Sequence, residues 1–478
     1  MKKLKYYIYL VLFSALLLTA CEEDILDDNP YYMGDSADQI FTNAEKIAAA
    51  NMGLYDALQN AEFLGGRAQI YVDARGLDVN PPTFFGLMST FSNTASDATT
   101  TNAWQGAYRT VGECNAFLEG IERAKSDNVI TDDEYKAYAA DAKFIRGVVY
   151  FYALNFWGQM YVKETENLGI PLILRSFDGG SAFTEAPEVK RASIEDSYKQ
   201  IIEDFAYAET NLPATRDDVY EGRATATSGA ANAMLSRVYL YMKNYDKVIE
   251  YADKVTGYEL DAKTLLSTND PANSSEVIFS VAMNSNDNPN TNNALGQHYG
   301  YNRRADISVS QAYLALLSDE DARKTECLFF DSSKNSWYCN KYRKTSSDWA
   351  PIIRYAEVLL NKAEALMKKP GATSADKEEA ITILNQIHKR SNPDKTYTSA
   401  DFANNLALVE EILLERRREL AFEGHSSFDL FRNEKGIPAG RGAATATAID
   451  YPSNYFALPI PSYDVEKSKG NLVQNKGY

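Results

Sequence analysis

The stretch "SGAANAMLSRVYLYMKNYDKVIEYADKV", Ser228–Val255, decides the fold. Two helical patterns flank a short turn at Lys243-Asn244-Tyr245. Ala231, Ala233 and Ala252 are small residues on those patterns, and small residues let helix backbones approach closely. Two short helices cannot bury their apolar faces alone, so further helices must stack on them. The same periodicity recurs along the chain. "TNAWQGAYRTVGECNAFLEGIERA" places Ala107, Val111, Phe117, Leu118 and Ile121 on one helical face. "AADAKFIRGVVYFYALNFWG" does so with Phe144, Val148 and Phe151, and Gly158 is expected to end that helix in a left-handed cap. Further helices are expected over 193–212, 309–318, 351–368, 376–390 and 406–423, with Pro351 as a helix start.

The Ser228–Val255 hairpin resembles a tetratricopeptide-type helix–turn–helix. Two regions break the helical texture. The first is 62–103, with "YVDARGLDVNPPTFFG"; the second is 258–350, with "NSNDNPNTNNALGQHYGYNRRAD" and "ECLFFDSSKNSWYCNKYRKTSSDW". The second is rich in Asn and Gly and offers a few short strands or turns. Long irregular inserts in a helical protein are often functional. Arg75 and Asp78 in "ARGLD" also fit a simple turn-fixing role.

The N-terminus carries a different signal. Lys2, Lys3 and Lys5 precede the apolar run Tyr6–Ala20, which is about fifteen residues long. That is short of the ~20 needed to span a bilayer, and fits a secretory signal. Leu18-Thr19-Ala20-Cys21 resembles the lipobox of bacterial lipoproteins, which implies cleavage before Cys21 and its lipidation. The formal charge is −17, and losing the signal removes three more positive charges. An acidic chain argues against nucleic acid as a partner and against electrostatic docking on anionic lipid. Cys114, Cys327 and Cys339 form no CxxC, and no histidine stands at metal-ligand spacing from them. No cofactor is expected; a calcium in the Asp/Asn-rich loop near Asp287 stays open, although the spacing matches no calcium motif. Cys327 and Cys339 are either a disulfide or free buried thiols.

Charges also fall on apolar stripes. Glu357 and Glu364 share a face with Ala356, Leu360 and Met367; Arg416 and Glu423 lie within the stripe of Val409, Ile412, Leu413 and Leu420. One reading makes Glu357 and Glu364 the acid pair of a surface glycoside hydrolase. The other pairs them with Arg416, Arg354 or Arg146 inside the scaffold, which would keep them ionised and unfit as general acids. The second reading is preferred, and no GxSxG, HExxH or P-loop is present. The chain is therefore expected not to be an enzyme.

"WQGAYRTVGECNAFL", "AKFIRGVVYFYALNFWGQM", "IRYAEVLLNKAEAL", "ILLERRRELAFEGHSSFDLFR" and "YFALPIPSYDVEKSKGNLVQNKGY" together resemble the SusD/RagB family of outer-membrane lipoproteins. Ser426 and Ser427 depart from that pattern before "FDL", as does Lys476 before the final Gly-Tyr. The resemblance implies a mainly α, SusD-like fold of tetratricopeptide-like hairpins plus a loop-rich region with few short strands. It implies a signal peptide over 1–20, one domain over 21–478, and a core position for Trp104, which opens the block "WQGAY". It further implies a lid that captures oligosaccharide at the cell surface and delivers it to a SusC-like TonB-dependent transporter, without hydrolysis. A peptide ligand, as in RagAB-like importers, is the alternative. Glu22, Glu23 and Asp24 match the family's acidic signal for export to the outer face.

Sugars present apolar C–H faces and hydroxyl edges, so their sites combine aromatic rings with polar side chains. Tyr299, Tyr301, Trp337 and Trp349 are candidate platforms. Asn302, Arg303, Asp73 and Arg75 are candidate polar partners, and Tyr71, Phe84 and Phe85 candidates for a facing wall.

Overall fold

A computed structural model describes residues 37–163, 167–177, 180–290, 292–300, 304–440 and 447–478. After a single helical turn at Ala37–Ile40, its main elements in chain order start with α1 (Ala44–Ala57), α2 (Arg67–Ala74) and the short β1 (Val79–Asn80). Two long helices follow, α3 (Ala98–Ser126) and α4 (Asp132–Trp157). The ribbon β2 (Leu168–Pro171) and β3 (Arg191–Ser193) leads into α5 (Ile194–Asn211), and then come α6 (Ser228–Tyr241) and α7 (Tyr245–Asp253). The second insert holds β4 (Val277–Val281), α8 (Leu295–Tyr299), β5 (Ser308–Val309), β6 (Leu328–Asp331), β7 (Ser336–Cys339) and β8 (Ala350–Arg354). The chain closes through α9 (Tyr355–Lys368), α10 (Ser374–Ser391), α11 (Asn405–Leu420), α12 (Ser426–Arg432) and α13 (Ser462–Lys467).

The helices stack in sequence: α3 on α4, α4 on α5, α5 on α6, α6 on α7, α7 on α9, and α9 on both α10 and α11. The hairpin read first from the sequence is α6–α7, with Ala231, Ala233 and Ala252 buried at its contacts. Side-chain caps set the helix starts. Thr131 and Glu134 form a capping box on α4, and Thr373 and Asp376 form one on α10, so backbone N–H groups without helical partners are satisfied. Gly158 follows α4 in extended conformation, with ψ of 146°, rather than in a left-handed cap. The chain there runs straight on, and the Gly158 N–H donates to the Leu154 carbonyl.

The stretch 351–368 divides. Residues 350–354 pair antiparallel with β4, and only from Tyr355 does the chain turn helical. Pro351 therefore sits in a strand opposite Ser280. β8 pairs with β4 alone, so proline's missing N–H costs no second ladder bond. Of the helix expected over 309–318, one turn forms, Gln311–Leu314. The 62–103 region is less irregular than its composition: α2 lies wholly buried within it.

Glu357 and Glu364, the carboxylates on the apolar stripe, are paired, but mostly with other partners than the sequence offers at short range. Glu357 takes both Nε and Nη2 of Arg237, 120 residues away, at 2.6 and 2.5 Å. Glu364 takes Arg432 at 2.7 and 2.8 Å and Lys368 at 2.6 Å. Of the three arginines expected, Arg416 alone reaches Glu357, at 3.4 Å. Arg146 instead grips Asp204 with two bonds of 2.8 and 2.7 Å. Arg354 joins Glu276, Glu419 and Glu423. Burial pushes the Glu364 carboxyl up, but the Arg432 guanidinium overrides it and holds the group down at about 2. Cys327 and Cys339 are free thiols, as is Cys114, and all three are buried.

Candidate functional site

The four-stranded sheet of the second insert runs β1-β5-β7-β6, so it joins the two loop-rich regions. Asn80 pairs with Ser308, and Ser308 with Tyr338. This register brings the turn after β1, which carries Phe84 and Phe85, against the chain entering β5.

Phe84 is the exposed centre of that junction, 57 % accessible. Beneath it lies a floor of bonded groups. The His298 ring is stacked below Phe84 with centroids 6.4 Å apart, and Phe85 packs edge-on to the same imidazole at 5.0 Å. His298 is fixed through both nitrogens, to the Asn292 carbonyl at 2.8 Å and the Asp306 carboxylate at 2.9 Å. The Arg67 guanidinium sits 4.9 Å from the Phe84 centroid and donates to the Asn292 carbonyl at 2.7 Å. Arg304 approaches from the rim, 6.0 Å from the ring, and pairs with Asp306 at 3.2 Å. Leu87, one turn further on, is also exposed. The result is an apolar face beside a partly exposed guanidinium and carboxylate on a rigid base. Such a surface can stack an apolar ligand face and hydrogen-bond its edges.

Several candidates belong to the floor or the core rather than the surface. Tyr71, Phe85 and Tyr299 are buried, and so is Asp73, which accepts from the Tyr299 hydroxyl at 2.8 Å. Burial pushes the Asp73 carboxyl up to about 8, against the pull of that hydrogen bond. Arg75 is enclosed and donates to the carbonyls of Tyr455 and Phe456 at 2.8 and 2.9 Å, tying α2 to the C-terminal segment rather than fixing a local turn. Asp78 pairs with Arg417. Trp349 is buried and donates its indole N–H to the Met283 carbonyl at 2.9 Å. These groups were candidates because a hydrogen-bonded core and a ligand surface draw on the same residue types. Tyr301, Asn302 and Arg303, which precede Arg304 in the sequence, lie outside the described residues. Trp104 is core, as expected, with its N–H on Asp464 at 2.7 Å.

Trp337 is half-buried on the β6–β7 hairpin, across from Phe330 with ring centroids 5.2 Å apart. Phe330 is 41 % exposed, so this pair is a second aromatic spot, toward the other end of the sheet from Phe84. Sequence reasoning missed Phe330, although "FFDSSKNSWY" shows two aromatic runs around a turn-rich loop. It also missed Arg67, Arg304 and the tethered His298. Arg304 stood beside the named Arg303; nothing local marked Arg67.

A stacked-helix scaffold carrying a loop-built aromatic and cationic face is thus the class of molecule at hand. The family model described as "SusD family" matches residues 329–478, and one described as "Starch-binding associating with outer membrane" matches 24–240. A SusD-like protein from Bacteroides ovatus is 31% identical over 230 residues, which are 48% of this chain and 38% of that protein. The chain therefore spans well under half of that relative's length. A SusD superfamily protein of solved structure from Bacteroides fragilis superposes with a TM-score of 0.79 at 27% identity, over 90% of this chain and 99% of the other. Surface glycan-binding protein A from Bacteroides thetaiotaomicron, solved in complex with laminarihexaose, shares the fold, with a TM-score of 0.72 at 19% identity over 91% and 100% of the two chains. The chain thus matches SusD-type family models over two separate stretches and shares the fold of a SusD superfamily protein over 90% of its length.

Proposed function

We propose that this protein is a cell-surface lipoprotein that binds oligosaccharide and passes it to a SusC-like TonB-dependent transporter. The observation that carries the reading is Phe84: an exposed ring over a hydrogen-bonded floor, with Arg304 at its rim. A ring held this way loses little freedom on binding, which favours affinity from a shallow surface. The starch-binding description of the matching family and the laminarihexaose held by a protein of the same fold support a glycan as the ligand. The mechanism is capture and release without bond breaking. Glu357 and Glu364, the carboxylates weighed as a hydrolytic pair, are sealed in separate arginine pairs and stay ionised.

Phe84→Ala tests the site. Migration of the mature protein through native gels containing a panel of neutral polysaccharides should be retarded, and the variant should lose about tenfold in affinity for the retained glycan. A variant retarded like wild type, or a wild type retarded by nothing in the panel, would overturn the reading. Cys21, outside the described residues, is the anchor in this scheme. Cys21→Ser expressed without the transporter should fractionate as soluble protein; recovery with the membrane would sink the anchor assignment.

A further inference from the structure

On another part of the molecule, α3, residues 171–177 and 186–189, and the C-terminal α13 enclose a cleft of about 580 Å³. It adjoins a second hollow of about 540 Å³, with Ile173, Phe177 and Val189 lining both. Each lies within the roughly 300–1,000 Å³ range of ligand sites. Its walls are aromatic: Trp104 and Tyr108, with ring centroids 4.5 Å apart, face the side of the cleft formed by Tyr463. Tyr463 is 64 % exposed, the most open tyrosine among the described large apolar residues. Lys467 stands 5.4 Å from the Tyr463 ring, and Lys469 lies two residues on. Both line the cleft, and among the described residues neither makes an ion pair. The carboxylate in the same lining, Asp464, is occupied by the Trp104 indole N–H, and burial pushes it up. A net positive rim on an aromatic cleft is conspicuous in a chain of net charge −17.

We propose that this cleft is a carbohydrate subsite for acidic sugars, with pyranose faces on Tyr463 and Tyr108 and uronate carboxylates on Lys467 and Lys469. The lysines supply the charge complementarity, and the rings the apolar contact. An acidic peptide is the less suitable occupant. A peptide docking by strand addition needs free backbone groups, and here the backbone is already used. The Pro171 carbonyl accepts from the Tyr108 hydroxyl at 2.9 Å, the Ile173 carbonyl from the Tyr150 hydroxyl at 2.6 Å, and the Ile173 N–H donates to Tyr150 at 2.9 Å. The Pro187 carbonyl accepts from Asn471 at 3.1 Å. The inference takes its ligand class from the glycan-binding reading but not its site.

The mature protein is titrated with oligogalacturonate, oligoglucuronate, methyl-esterified oligogalacturonate and a neutral glycan. Three variants are compared with it: Tyr463→Ala, the double variant Lys467→Gln/Lys469→Gln, and Phe84→Ala. Wild type should bind at least one uronate oligomer better than the ester. Tyr463→Ala and the lysine variant should each weaken that binding fivefold or more, and the lysine variant should lose most of its salt dependence. Both should leave neutral-glycan binding intact. No uronate binding, or uronate binding that only Phe84→Ala removes, overturns the subsite and leaves the Phe84 reading standing. Uronate binding lost in the lysine variant, with Phe84→Ala neutral toward every glycan, supports the subsite and overturns the Phe84 site. An acidic peptide that binds through the two lysines while no uronate does overturns the sugar assignment.

Discussion

Arg354→Met should be the most damaging single change outside the binding face, lowering stability by about 3–5 kcal/mol. Arg354 sits at the junction of β8 and α9 and is 2 % exposed. Its Nε donates to Glu423 at 2.8 Å, Nη1 to Glu419 at 2.8 Å and to Glu276, and Nη2 to the Glu419 carbonyl at 2.7 Å. Methionine fills similar space but leaves three buried carboxylates crowded together. Lys341 and Arg390 remain, the former 2.6 Å from Glu423, yet neither bridges all three acids. The loss reports the stranded charges rather than the net worth of the network, since a wholly apolar replacement is often neutral. Denaturant midpoints measure it. Arg109→Ala, at an exposed pair with Glu113 of 3.0 Å, should change stability by under about 0.5 kcal/mol. Equal midpoints for the two variants would show that the network does not hold α11 to the β4–β8 ribbon.

Acid should unfold the protein along a steep limb between about pH 4.5 and pH 2. Glu364, Glu415 and Asp429 are each buried, which pushes them up, but guanidinium groups dominate and hold each at about 2. Carboxyls depressed in the folded state contribute stability above their unfolded range and lose it as pH falls through the folded value. Each contributes on the order of 2–3 kcal/mol by that linkage. His425, pushed down to about 4 by burial, adds a loss beginning near the ordinary histidine range, about 6.5. Asp73 and Asp348 act in the opposite sense. Burial raises them to about 8 and about 7, so their contribution is whole below the ordinary aspartate range and is lost as pH rises through those values. Thermal midpoints across pH 2.5–9 should therefore form a dome. Asp73→Asn should flatten its alkaline side and leave the acid limb in place. A midpoint unchanged from pH 5 to pH 3 would contradict the paired-carboxylate account.

The helical scaffold was legible because period and caps are local. The expected 193–212, 376–390 and 406–423 lie close to Ile194–Asn211, Ser374–Ser391 and Asn405–Leu420. The reading failed where an apolar run changed type midway. "APIIRYAEVLL" is continuous in hydrophobicity, and only pairing with β4 makes its first half a strand. Partner choice was illegible for a related reason. Arg237 reaches Glu357 across 120 residues, and no spacing rule spans that gap. For the binding face, residue type was a weak guide. Tyr71 and Tyr299 have the composition of a ligand platform, and only burial separates them from Phe84. Composition located the loop-rich regions but could not sort their rings by exposure.

The three buried thiols set up a chemical opportunity. Burial pushes Cys327 up to about 11 and drives Cys114 and Cys339 higher, so at neutral pH all three are protonated as well as enclosed. Thiolate is the reactive form, and maleimides should pass these positions by while the fold is intact. In a chain begun after Cys21, Phe84→Cys would then offer one addressable sulfur among the described residues, on the ring position proposed to meet ligand. A fluorophore attached there would report occupancy directly, with no background from the native cysteines.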